Sequence, residues 1–243
     1  MDQNILGEEI FIIILCAKEG IKNANDEITK VIETAKKQDY ILVLENERER
    51  KDGWLKLAVG EIRRYPGVLI AKSGVKIDWS RGKVSQTKTD PNASPLWSTL
   101  IPVKAFKRCG ILEENLPLEL AGYEFTWRAH QAGFKLAVLP LKDKSLTKVW
   151  LFPPPVARKL SYIEAVKMIV DRKMLNSCFN WKKFVDLACP GEFRTANRKY
   201  MQKLIVDILF STSLIRFSLK IRLMLHQAKL FLIQFPEYHL YKK

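Results

Sequence analysis

The sequence predicts an α/β protein with a basic, helical C-terminal extension, and three observations carry that prediction. Short apolar, β-branched runs alternate with amphipathic stretches of helical spacing over residues 1–152. A proline triplet, Pro153-Pro154-Pro155, then interrupts the alternation. Charge also changes there: residues 1–155 carry 24 basic and 20 acidic side chains, residues 156–243 carry 17 and 6. Two regions follow, an α/β domain over 1–152 and a basic helical region over 153–243.

Each element has its own signal. Residues 10–17 (IFIIILCA) are apolar without alternation, as in a central strand buried on both faces. Residues 23–37 place Ile28, Val31, Ile32 and Ala35 on one helical face. Residues 40–44 (YILVL) read as a second buried strand that runs straight into Glu45-Asn46-Glu47. The next helix, 54–64, groups Trp54, Leu55, Ala58, Val59 and Ile62, and Pro66-Gly67 stops it before a strand at 68–71. Residues 80–95, rich in Ser, Lys, Thr, Asp, Asn and Pro, read as a loop and candidate lid. A further unit opens at 100–101 and 103–108. A helix over 123–132 closes at Gly133, and a strand follows at 135–139.

Composition narrows the class. With 47% hydrophobic and 28% charged residues, the chain has the makings of an ordinary core, which excludes disordered and collagenous classes. A net charge of +15 points to an anionic partner (lipid, nucleic acid or a phosphorylated substrate) or simply to solubility. The chain shows no helix-turn-helix or RNA-binding signature, so nucleic acid is the least expected of these. Cys16, Cys109, Cys178 and Cys189 form no CxxC, so neither a zinc site nor disulfides are expected and a reducing compartment is the default. The run at 10–17 is preceded by Glu8 and Glu9 and is too short to cross a bilayer.

The most distinctive basic stretch is 198–235. At about 100° per residue, Phe217, Ile221, Met224, Ala228, Phe231, Leu232 and Phe235 share a stripe. Arg216 and Lys220 flank it on one side, Arg222, His226 and Lys229 on the other. Such a helix suits an anionic membrane interface; packing of the stripe on the main domain is the alternative.

Several motifs then fall in a recognisable order. A strand ends in the acidic triplet Glu45-Asn46-Glu47. Gly20–Asn25 reads GIKNAN. Residues 99–110 (TLIPVKAFKRCG) lead into the turn Gly110-Ile111-Leu112-Glu113-Glu114. Residues 121–139 read AGYEFTWRAHQAGFKLAVL. Together they resemble the family-2 glycosyltransferases of the GT-A fold, over about residues 10–150. The resemblance implies a GT-A-like mixed sheet flanked by helices, of the nucleotide-diphospho-sugar transferase type. It implies a sugar transfer from a nucleotide-sugar donor to a polysaccharide or lipid-linked acceptor, with inversion. Glu45 and Glu47 would hold Mg²⁺ or Mn²⁺, neutralising the departing diphosphate. Arg128 would face a carboxylate or the donor diphosphate. Glu124, or less directly Glu119, would act as base near the acceptor. Trp97 would stack on a sugar ring or pack in the core.

The sequence also departs from the family pattern. Gly122 stands where the family has its general-base Asp, and Glu replaces Asp in the acidic triplet. No His follows the strand at 135–139, where Asp143 is the nearest oxygen donor. The segments that hold the nucleoside would precede Gly20 and are short here. In a second register, 10–17 and 40–44 would be the family's first two strands and Glu45 would contact the nucleoside. Two functions are therefore expected: a cytoplasmic transferase docked peripherally on the inner face of a membrane through Arg216, Phe217, Lys220, Arg222, Lys229 and Phe231, or a catalytically degenerate transferase-like subunit whose exposed sheet edge takes a partner chain.

Overall fold

In chain order the elements are β1 (Ile12–Cys16), α1 (Ile21–Thr34), β2 (Tyr40–Leu44), α2 (Trp54–Arg64), β3 (Leu69–Ala71), β4 (Gly74–Asp78), β5 (Lys83–Thr87), a 3-10 turn (Leu96–Ser98), β6 (Thr99–Pro102), α3 (Val103–Cys109), α4 (Leu118–Gln131), β7 (Leu136–Val138), α5 (Tyr162–Val170), α6 (Cys178–Ala188) and α7 (Gly191–Ser211). They come from a computed structural model that describes residues 11–16, 20–36, 39–44, 54–139, 161–171 and 177–211. The architecture is α/β, a mixed five-stranded sheet in the order β1-β2-β6-β3-β7 flanked by helices. β1 and β2 pair in parallel, as do β3 and β7, while β6 runs antiparallel between the two pairs.

Burial explains the strand sequences. Tyr40, Ile41, Leu42 and Val43 of β2 are each at most 1% exposed, because β2 has a strand on either side and side chains packed on both faces. One packed set is Trp54, Ala58 and Ile62 of α2 with Leu42, Ile70 and Leu100. The other is the main core, which gathers Ile28, Ile41, Val43, Leu69 and Ile101 with Phe106, Phe125 and Trp127.

Two expectations need correction. β1 is not central: it lies at the edge of the sheet, and among the described residues β2 is its sole neighbour. Ile12, Ile13 and Ile14 are accordingly only half-buried, since an uninterrupted apolar run encodes hydrophobicity but not position in the strand order. Residues 80–95 are not a free loop. They belong to an arm that starts with the β4–β5 hairpin, whose turn is closed by Asp78 Oδ1 accepting from Ser80 N at 3.1 Å and Arg81 N at 3.2 Å. Asn92 pins the return, accepting from Ile77 N at 2.7 Å and donating to Ile77 O at 3.0 Å.

That arm reaches the C-terminal helices. Trp79, at the hairpin turn and 4% exposed, lies 5.7 Å from the rings of both Trp127 and Phe184. Asn197 of α7 donates to its carbonyl at 2.9 Å. Cys178, Trp181, Phe184, Met201, Leu204 and Ile208 fall in the same buried cluster as the sheet-facing residues, so 177–211 shares one core with the α/β region. No helix among the described residues is long and apolar enough to cross a membrane. Arg216, Phe217, Lys220, Arg222, Lys229, Phe231 and the proline triplet lie outside the described residues.

Candidate functional site

The C-terminal edge of the sheet is where the expected donor groups would gather. β2 ends at Leu44, directly before Glu45; Glu45 and Glu47 themselves lie outside the described residues. The antiparallel register places Leu42 opposite Leu100, and Thr99 opposite Ala71 of β3, so the start of β6 shares an edge with the ends of β2 and β3. Trp97 sits in the 3-10 turn immediately before β6 and is half-buried at that edge. Beneath it, Ser94 Oγ donates to Ser73 O at 2.6 Å and lies 2.7 Å from Thr99 Oγ1. Among the described residues no cluster of three or more His, Cys, Asp or Glu side chains is arranged to hold a metal ion.

Helix α4 supplies the residues expected on the acceptor side. It starts at Leu118, behind Pro117, five residues before the expected start, and Gly122 lies inside it. The reason for that glycine is contact. A Cβ at Gly122 would meet Leu96 N and Leu96 Cβ at 2.6 Å, a distance real side chains do not reach. One turn on, Thr126 Oγ1 accepts from Ser94 N at 2.9 Å, so α4 rests directly on the backbone of 94–96. Glu119 occupies the first turn and is half-buried; its charge adds to burial in pushing the Tyr123 hydroxyl far above its ordinary range. The Tyr123 hydroxyl is buried without a hydrogen-bond partner.

Glu124 and Arg128 form a closed unit. The Glu124 side chain is 7% exposed, and both its oxygens accept from Arg128: Nε to Oε1 at 2.9 Å and Nη2 to Oε2 at 2.8 Å. Arg128 also donates to Ile111 O at 3.0 Å and to Cys109 O. This bidentate pair, one turn apart on α4, therefore holds the 109–111 turn that follows α3. In this arrangement Arg128 meets a carboxylate and two carbonyls, and Glu124 is engaged on both oxygens.

From the other side the same turn is held by a residue that sequence reasoning left without a role. Asn25 of α1, 1% exposed, donates to Leu112 O at 2.9 Å and accepts from Leu112 N at 3.0 Å. Its amide also reaches Glu114 Oε1 at 3.4 Å. The signal was present: Asn25 lies between Ala24 and Ile28 on the buried face of α1, and a polar side chain on an apolar face must find partners. Gly20, with φ at +98°, opens that helix.

A cleft of about 300 Å³ opens beside this unit, lined by Glu124, Trp127, Arg128 and Gln131 of α4 and by Leu187, Ala188, Cys189 and Pro190 of the α6–α7 corner. Nothing in the sequence brings these two segments together; Trp79 and Asn197 do so in space. Burial pushes the Cys189 thiol up, and it pushes Cys178 up to about 11. The same cause raises Cys109, although the Arg128 charge opposes it. Both Cys109 and Cys178 thus stay neutral thiols near neutral pH. His130, at the far end of α4, keeps Nδ1 buried without a partner and stacks obliquely at 6.4 Å from Trp127. Compared with protein-family models the chain matches none, and no curated protein matches it.

Proposed function

We propose that the chain is a glycosyltransferase that moves a sugar, with inversion, from a nucleotide-sugar donor to a polysaccharide or lipid-linked acceptor. One observation supports this reading above the others. Three of the segments that resemble the family in sequence, 20–25, the turn 110–114 and 121–139, meet in space, with Asn25 and Arg128 both bonded to that turn.

In this proposal the donor binds at the C-terminal edge of the sheet. Glu45 and Glu47 follow a buried strand at positions i and i+2, which share one face wherever the chain stays extended. Carboxylate oxygens suit Mg²⁺ or Mn²⁺. When bound, that ion offsets charge on the departing diphosphate. Trp97, at the same edge, offers a ring face to the acceptor sugar. Glu124 and Arg128 act as positioning residues that set α4 against the 109–114 turn, and Glu119, in the first turn of α4, is the alternative base for the acceptor hydroxyl. Peripheral attachment to an anionic cytoplasmic leaflet through residues 216–231 belongs to the same proposal.

A second reading, a catalytically degenerate transferase-like subunit that binds a partner chain, is favoured by a specific contact. The 2.6 Å approach of Leu96 leaves no room for a carboxylate at position 122. Thermal unfolding with a panel of nucleotide sugars, with and without Mn²⁺, separates the two. Ligand at 100 times its dissociation constant adds about 2.7 kcal/mol, which for a chain of this size is a rise of roughly 5–10 °C. A Mn²⁺-dependent rise that Glu47→Gln removes supports the transferase. No rise with any nucleotide sugar supports the second reading.

A further inference from the structure

Helix α5 is amphipathic in an unusual sense, for it turns an apolar stripe outward. Its inward residues are Ala165, 1% exposed, with Met168 and Ile169 packed against the main core. Its outward residues are Tyr162, Ile163, Val166 and Val170, exposed by 60%, 67%, 38% and 54%. At about 100° per residue these four fall within one sector of about 100°. The helix is a defined element: Ser161 caps it and Glu164 completes a capping box, accepting from Ser161 N at 2.9 Å. With nine residues it is about 14 Å long, far short of a bilayer.

Charge favours one kind of occupant for this stripe. Lys167 borders it and is exposed. Arg158 and Lys159 precede the helix in sequence, Arg172 and Lys173 follow its C-cap Asp171, and residues 156–243 carry 17 basic and 6 acidic side chains. A second copy of the chain would bring two bodies of net charge +15 together, which disfavours self-association. A nucleic acid answers the charge but leaves the apolar groups uncovered. An anionic bilayer surface answers both, since its headgroups meet the cations while the acyl boundary takes the apolar side chains and the amphipathic Tyr162.

We infer that α5 is an interfacial docking helix that lays Tyr162, Ile163, Val166 and Val170 into the surface of an anionic membrane. This helix is distinct in sequence from residues 216–231, and it shares with the proposed function only the anionic leaflet. The test is co-sedimentation of the full chain with vesicles of phosphatidylcholine alone and of phosphatidylcholine with phosphatidylglycerol. Ile163→Asp/Val166→Asp changes outward groups only, and its melting temperature should match that of the unchanged chain. Its partition onto the anionic vesicles should fall at least about tenfold. Lys167→Glu should weaken anionic binding alone. Unchanged binding by the double variant overturns the inference. If charge reversal at Arg216, Lys220, Arg222 and Lys229 abolishes binding in that case, the membrane reading of 216–231 survives without α5. No binding by the unchanged chain overturns both. Concentration-dependent self-association that the double variant removes reassigns the stripe to a second copy and also overturns the inference.

Discussion

The contact at Gly122 makes a matched pair with Gly60 that tests the packing argument by sign. Both glycines lie inside helices, Gly60 in α2 and Gly122 in α4. A Cβ at Gly60 meets nothing within 4 Å; one at Gly122 meets Leu96 N and Cβ at 2.6 Å. Gly→Ala in an open helix interior gains about 1 kcal/mol. At Gly122 the same gain is set against overpacking, which costs about 1–3 kcal/mol, toward the upper end where the obstacle is backbone. Gly60→Ala should therefore raise the melting temperature by about 2–4 °C, and Gly122→Ala should lower it by about 2–8 °C. Gly122→Asp, which restores the carboxylate expected from the resemblance, adds an unpaired buried charge to the clash and should not accumulate as folded protein. Circular-dichroism melting of the alanine pair is the assay. A rise for both would refute the close approach of α4 to Leu96, and with it the reason for a glycine at that position.

Three further outcomes are expected. Asn25→Ala leaves Leu112 N–H and C=O buried without partners and should destabilise by about 2–4 kcal/mol, read by urea denaturation; less than about 1 kcal/mol would mean that Asn25 does not hold the turn. Arg128→Ala leaves the Glu124 carboxylate buried alone and should lower stability by about 3–5 kcal/mol, whereas Arg128→Ala combined with Glu124→Leu should recover part of the loss; a double variant no better than Arg128→Ala would deny the coupling. Cys178, with its thiol pushed up to about 11 by burial, should resist alkylation at pH 8 while the half-buried Cys109 reacts first, as peptide mass mapping would report. Because that folded value lies above the ordinary 9.0, the stabilising contribution of Cys178 is intact below pH 9 and is lost as pH rises through about 11. Urea midpoints that stay level across that range would contradict it.

Much of the α/β reading was written into local pattern. Residues 40–44 and 54–64 were legible to the residue, since one is a run of β-branched and aromatic side chains and the other a helical stripe stopped by Pro66-Gly67. The same logic failed at 80–95, where polar composition hid a hairpin held by Asp78 and Asn92 and anchored by one tryptophan. It failed again at β1, because a strand's hydrophobicity does not reveal how many neighbours it has. At the candidate site the sequence marked Glu124, Arg128 and Gly122 as special, and they are, but because Arg128, paired with Glu124, reaches Cys109 and Ile111, and Gly122 meets Leu96, contacts that lie 17 to 26 positions away.

What the sequence determined by itself is the succession of elements, the charge imbalance that follows the proline triplet, and the unusual residues of each motif, all of which depend on neighbours within a few positions. Only the tertiary structure decided the order of strands in the sheet, the junction where Asn25 and Arg128 hold one turn, the shared core that joins 177–211 to the sheet, and the outward stripe of α5. Those features depend on which surfaces remain after everything else has packed, and that sum is settled by contacts distant in the chain.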